Sequence, residues 1–111
     1  RAAAAKMEAC FVLAGATVTH EGGYPGWAPA AESPVRDACV ASYRKLFGVD
    51  PKVKAIHAGL ECGLFTEKFP GLDMVSFGPT LRGVHAPGER LDLASLDKFV
   101  DLLVDVVTNY K

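Results

Sequence analysis

The sequence predicts an α/β fold in which two or three helices flank a small, mostly parallel sheet. Residues 34–47 and 94–110 carry apolar side chains at helical spacing. Residues 53–58 and 73–77 are rich in strand-forming residues, and a short helical pattern separates them. A strand, a helix and a second strand, joined by a crossover of about a dozen residues, form the parallel βαβ arrangement.

Composition and charge exclude several classes of protein. The chain has 111 residues, of which 50% are hydrophobic and 23% are charged, so it is neither disordered nor collagen-like. Its net charge of −1 argues against a nucleic-acid or membrane-surface partner. No apolar run approaches the roughly 20 residues of a membrane-spanning helix. The three cysteines form no C-x-x-C pair, which favours reduced thiols in an intracellular compartment.

The first part of the chain predicts a helix over residues 2–13, ended by Gly15, and a short strand over 16–21. An isolated helix of this length is marginal in water and needs a surface to pack on. Residues 22–29 contain three glycines and two prolines and are the best candidate for a domain boundary. Either the helix and strand cover the rest of the chain, or the chain was cut from a longer protein. We prefer the second interpretation.

Three further helices follow in the sequence. Ser33 and Pro34 begin the first of them, since serine caps a helix and proline suits its first position, and Gly48 ends it. Residues 60–68 predict about two turns of helix, which the sequence Phe-Pro-Gly at residues 69–71 ends. The last helix covers residues 94–110.

Apolar stripes identify the faces that these helices should bury. The predicted stripes are Val35, Cys39, Tyr43 and Leu46 on the first of these helices, and Leu96, Phe99, Val100, Leu103, Val107 and Tyr110 on the last. Asp97, Asp101 and Asp105 lie four apart on another face of the last helix. We interpret them as a solvated face, because carboxylates stacked at this spacing repel one another without a cation.

Reactive side chains lie in two loops that follow the predicted strands. His57, Glu61 and Cys62 surround Gly59, and ligands collect at the carboxyl ends of strands in open α/β sheets. The alternative is structural: Glu61 complements a helix dipole and His57 is an interior or rim histidine.

The second loop contains His85, with Glu89 four residues later. A histidine near a carboxylate is the combination found where the imidazole binds a metal and the carboxylate supports that imidazole. One His and one Glu cannot hold zinc, which takes three or four protein ligands.

Residues 54–63, KAIHAGLECG, resemble a signature of the aminoacyl-histidine dipeptidases, also called Xaa-His or cytosol non-specific dipeptidases, in the zinc-dependent M20 peptidase family. Residues 70–90, PGLDMVSFGPTLRGVHAPGER, resemble the last active-site segment of the same family. Residues 24–27 and 33–34 are similar to the segment by which the family's chain re-enters its catalytic domain.

The resemblance implies a C-terminal fragment of an enzyme that hydrolyses dipeptides of the Xaa-His type with metal-activated water. Residues 1–22 would end an inserted lid or dimerisation domain, and residues 23–111 would form the C-terminal part of the catalytic domain. The family also implies two zinc ions for each full-length enzyme, a homo-oligomer and a cytoplasmic location.

The resemblance also assigns site residues. His85 corresponds to a metal ligand, and Glu89 corresponds to the carboxylate that accompanies this ligand without itself binding the metal. The substrate pocket would be bordered by Gly59, Leu60, Glu61, Arg82 and Gly83. The family's other ligands and its general base belong to His-x-Asp and Glu-Glu motifs, which this sequence lacks. We therefore expect the chain alone to hold no zinc, to be inactive, and to require the missing N-terminal part of the polypeptide.

Two other functions stay open. The chain could be a non-catalytic ligand-binding or regulatory module on the same fold, with a pocket near Gly59 and Gly83. A thiol hydrolase that uses Cys62 with His57 as its base is a distant third, since no third orienting group can be named.

Overall fold

The computed structural model describes residues 2–23, 25–56 and 60–111. In these residues the elements follow in the order α1 (Ala2–Leu13), α2 (Pro34–Phe47), α3 (Cys62–Lys68), β1 (Leu81–Arg82), β2 (Arg90–Leu91) and α4 (Leu93–Asn109). All four predicted helices are confirmed, with ends that differ by no more than two residues from the sequence pattern. None of these helices is long and apolar enough to cross a membrane.

The prediction of a mostly parallel sheet is wrong for the residues that the structure describes. The ladder found there is an antiparallel pair, β1 with β2, in which Leu81 lies opposite Leu91 and Arg82 opposite Arg90. Residues 16–21, 53–56 and 73–77 form no strand, and the last two residues of the predicted 53–58 strand lie outside the described ranges. Strand-forming residues favour an extended backbone, but a strand also needs the backbone of a neighbouring strand to hydrogen-bond with.

Local chemistry fixes both ends of α2, as the sequence predicts. The Ser33 side chain accepts a hydrogen bond of 3.1 Å from the Arg36 N–H, and Pro34 occupies the first helical position. Gly48 adopts a left-handed conformation with φ of 70°, and its N–H donates to the Arg44 carbonyl at 2.9 Å.

The core lies between α2 and α4. Its buried apolar side chains are Cys39, Leu102 and Val106, with Tyr43, Phe47 and Val75 packed against them. The radius of gyration is 18.8 Å, compared with about 13 Å for a compact domain of 100 residues. Few side chains are therefore shielded from water on all sides.

The buried face of α4 differs from the predicted stripe. Leu102 and Val106 are buried, whereas Val100, Leu103 and Val107 are exposed, Val107 by 70%. Because α4 carries apolar residues around most of its circumference, its sequence defines more than one possible core face. Contact with α2 selects among them.

The aspartates of α4 do not all lie on a solvated face. Asp97 and Asp101 are exposed, as predicted. The Asp105 side chain is only 15% exposed and pairs with Lys45 of α2, with 2.6 Å between Nζ and Oδ1. This hydrogen bond, and a second from Ser42, lower the pKa of Asp105. Asp105 thus helps to join the two core helices.

Candidate functional site

The predicted metal-binding loop is a tight connection between β1 and β2. Residues 83–89 form two successive turns, in which the Ala86 N–H donates to the Gly83 carbonyl at 3.0 Å and the Glu89 N–H donates to the Ala86 carbonyl at 3.1 Å. Gly83 and Gly88 have φ of 64° and 88°, in the left-handed region that glycine adopts without steric cost. The loop is therefore ordered by its own backbone.

His85 has an unusual backbone conformation within this loop. Its φ is 62°, and it is the only non-glycine residue with positive φ in the part of the chain that the structure describes. Its N–H donates to Glu89 Oε2 at 3.2 Å. Residues held in such sparsely populated conformations are concentrated at functional sites.

Two hydrogen bonds fasten the base of the hairpin to the start of α4, and a third lies within that helix start. The Asp92 N–H donates to the Thr80 carbonyl at 2.9 Å, and the Thr80 N–H donates to Ser95 Oγ at 2.7 Å. The Ser95 hydroxyl in turn donates to the Asp92 carbonyl at 2.7 Å. Because Asp92 also caps α4, the loop that carries His85 is anchored to the helix that supplies Leu102 and Val106 to the core. Sequence reasoning missed this contact, since nothing in the local pattern joins residues 80 and 95.

The second group of predicted site residues precedes and begins α3. Glu61 occupies the N-cap position without a side-chain capping bond and is exposed, and the Leu60 carbonyl accepts from the Gly63 N–H at 3.0 Å. Gly63 is buried against the connector, where a Cβ atom would collide with the Pro25 carbonyl oxygen. This contact brings the boundary segment and the start of α3 together. Gly59 and His57 lie outside the described residues.

A large open cleft of about 1100 Å³ lies between α2, α4 and the segments 51–56 and 74–78. Cys39 and Leu102 of the core reach its wall, together with Tyr43 and Phe99. Cys39 packs in the core with Leu102 and Val106, and this burial raises the pKa of its thiol and favours the neutral form.

The described residues do not assemble a metal site by themselves. No group of three or more His, Cys, Asp or Glu side chains suited to a metal ion occurs among them. Glu89 contacts the backbone N–H of His85. The hairpin thus offers one imidazole, fewer donors than zinc requires.

Four of the predicted site residues lie in one hairpin, and two lie in another segment of the chain. Arg82, Gly83, His85 and Glu89 belong to the same hairpin. Leu60 and Glu61 belong to a different segment, at the start of α3. The described residues of the predicted site therefore lie in a hairpin loop and at a helix start.

The chain is similar to known peptidases in sequence and in structure. The sequence model of the family described as Peptidase family M20/M25/M40 matches residues 6–109. Cytosol non-specific dipeptidase from Escherichia coli (strain K12) is 45% identical over 95 residues, which cover 86% of this chain and 20% of that protein. The crystal structure of aminoacylhistidine dipeptidase from Vibrio alginolyticus matches with a TM-score of 0.72 and 39% identity, covering 94% of this chain and 21% of that one. The chain spans about a fifth of the length of these relatives.

Proposed function

The chain belongs to peptidase family M20/M25/M40, and on that premise we propose that it is the C-terminal part of the catalytic domain of a metal-dependent dipeptidase. Both relatives reported above are named as dipeptidases. The observation that carries the proposal is the hairpin loop, where a histidine lies in a strained conformation within a segment that matches this family. The substrates would be dipeptides of the Xaa-His type.

His85 is the residue proposed to bind metal. An imidazole is a good zinc ligand, and the loop that holds it is fixed at both ends by hydrogen bonds. Because one donor is insufficient, the other ligands of two zinc ions would come from polypeptide outside these residues. Zinc, when bound, would supply an activated water for attack on the amide carbonyl.

The remaining site residues are proposed to shape the pocket around the substrate. Arg82 and Gly83 lie at the entrance to the His85 loop, where β1 ends. Leu60 and Glu61, with Gly59 before them, would border the opposite side. The exposed guanidinium of Arg82 and the backbone around Gly83 are suited to orienting a charged, polar dipeptide.

The apolar cleft and the exposed apolar faces support a proposal about partners. Helix α1 buries none of its residues, and the core of α2 and α4 is open on the side of the 1100 Å³ cleft. We propose that the N-terminal part of the same polypeptide covers the cleft, that residues 1–22 end a lid or dimerisation domain, and that the complete protein is a cytoplasmic homo-oligomer. Large exposed apolar patches mark such interfaces.

The experiment is replacement of His85 by Ala in the product of the complete reading frame. We expect bound zinc to fall and dipeptide hydrolysis to decrease at least about 100-fold, since even residues that only support a ligand contribute 10–100-fold. The matched control is His20→Ala, because His20 is an exposed histidine that contacts Glu8 of α1. Unchanged zinc content and activity in His85→Ala would refute the proposal.

A further inference from the structure

The left-handed conformation of His85 requires an explanation, because the loop around it is not packed. Every residue from Gly83 to Glu89 is exposed to solvent. A side chain with a Cβ disfavours positive φ, yet His85 has φ of 62°. Since burial cannot hold this conformation, hydrogen bonds within the loop must do so.

The two strands that carry the loop are too short to hold it alone. β1 and β2 pair through only two residue pairs, Leu81 with Leu91 and Arg82 with Arg90. A short two-stranded hairpin is marginally stable by itself in water. The second pair also places two arginines opposite each other in the ladder, and like charges at such positions are unfavourable.

Two backbone turns and one side-chain contact complete the loop. The turns run from Gly83 to Ala86 and from Ala86 to Glu89, and neither uses the His85 N–H. That N–H donates instead to Glu89 Oε2 at 3.2 Å, so a single hydrogen bond spans the junction of the two turns. A carboxylate acceptor makes such a bond stronger than a neutral one.

We infer that Glu89 is a positioning residue that acts through the backbone of His85. Its carboxylate accepts the His85 N–H and thereby holds residue 85 in the left-handed conformation from which the imidazole projects. A carboxylate that supported a metal-binding histidine through its imidazole ring would accept from a ring nitrogen, whereas Glu89 accepts from the backbone N–H. The consequence for metal binding rests on the proposed function, whereas the backbone contact does not.

The test compares Glu89→Gln with Glu89→Ala in the product of the complete reading frame. Glutamine keeps an oxygen that can accept the His85 N–H, whereas alanine removes it. The first measurement is millisecond amide hydrogen exchange at His85 in metal-free protein, with the amides of α4 as an internal reference for folding. The second is zinc affinity by competition with a chelator, and Asp101→Ala, an exposed carboxylate on α4, is the control.

We expect Glu89→Ala to accelerate His85 exchange at least tenfold and to weaken zinc binding by about 10–100-fold. Glu89→Gln should leave both values within about threefold of the parent, because its side-chain oxygen still accepts a hydrogen bond. Unchanged His85 exchange in Glu89→Ala, or equal losses in both variants, would overturn the inference. Should Glu89→Ala fail to fold, Glu89→Gln still tests the inference, because markedly faster His85 exchange in that variant would contradict it.

Failure of this inference is distinguishable from failure of the proposed function. If His85→Ala binds zinc normally, the proposed metal role is wrong, and exchange in metal-free Glu89 variants still decides whether the backbone contact exists. If His85→Ala loses zinc but Glu89→Ala keeps both zinc and slow exchange, the function stands and Glu89 does not position the ligand.

Discussion

The hydroxyl of Ser33 donates a hydrogen bond of 2.6 Å to Asp73 Oδ1, although the two residues lie 40 positions apart in the chain. The other carboxylate oxygen accepts the Val35 N–H at 2.9 Å. Asp73 therefore satisfies free N–H and O–H donors at the start of α2, where the helix dipole favours an anion. Through this contact the segment that leads into the hairpin is attached to α2.

The contact predicts how stability depends on pH. The Ser33 hydroxyl, followed by the Val35 N–H, lowers the pKa of Asp73 in the folded state. A lowered folded pKa contributes stability that is present above the unfolded value of about 3.9 and lost as pH falls through the folded value. We expect Asp73→Asn to lower the thermal midpoint at pH 7 and to reduce its fall between pH 7 and 3.

The matched control for this prediction is Asp101→Asn, which changes an exposed carboxylate on α4. Its midpoint should stay close to that of the parent at both pH values. Thermal unfolding followed by circular dichroism gives the comparison. A midpoint for Asp73→Asn equal to the parent at pH 7 would show that the contact contributes nothing to the fold.

Gly63 is expected to tolerate no side chain. An added Cβ would collide with the Pro25 carbonyl oxygen, which belongs to backbone and cannot rotate away. Gly63→Ala should reduce the free energy of unfolding by about 1–3 kcal/mol, as other overpacking substitutions do. Gly23→Ala is the control, since no atom of the residues that the structure describes lies within 4 Å of a Cβ at that position. Equal stabilities of the two variants in denaturant titrations would contradict the packing argument.

The isolated chain should show no dipeptidase activity with added Zn²⁺. The residues that the structure describes contain no group of three metal-binding side chains, and the sequence lacks the His-x-Asp and Glu-Glu motifs. Hydrolysis of an Xaa-His dipeptide, followed by chromatography, and zinc retention in equilibrium dialysis test this expectation. Turnover at rates typical of an enzyme, of order 1 s⁻¹ or more, would refute the fragment interpretation.

The isolated chain should also self-associate through apolar surface. Val104 and Val107 of α4 are 58% and 70% exposed, beside the half-exposed Val100 and Leu103. Sedimentation velocity at increasing concentration should detect oligomers, and Val107→Glu should shift them toward monomer because a charge is costly to bury. Glu67→Lys, an exposed change on α3, should leave the distribution unaltered. A monomer at every concentration would count against an interface on α4.

Elements whose signals are local could be predicted from the sequence. Ser33, Pro34 and Gly48 mark the ends of α2 because capping depends on residues within one turn of each end. His85 and Glu89 could be named as candidate site residues because of their types and spacing, and because the motifs around them resemble a known family. The structure places both residues in the hairpin of β1 and β2.

The three-dimensional structure alone decided which face of α4 is buried, that residues 53–56 and 73–77 form no ladder, and that Glu89 contacts the His85 backbone. Each depends on a partner distant in sequence or on a backbone angle that composition does not encode. A helix that is apolar on several sides buries the side that meets another helix, and a strand exists only where a second backbone accepts its hydrogen bonds. The sequence determined where helices begin and end and which residues are candidates for the site, while packing determined what those residues touch.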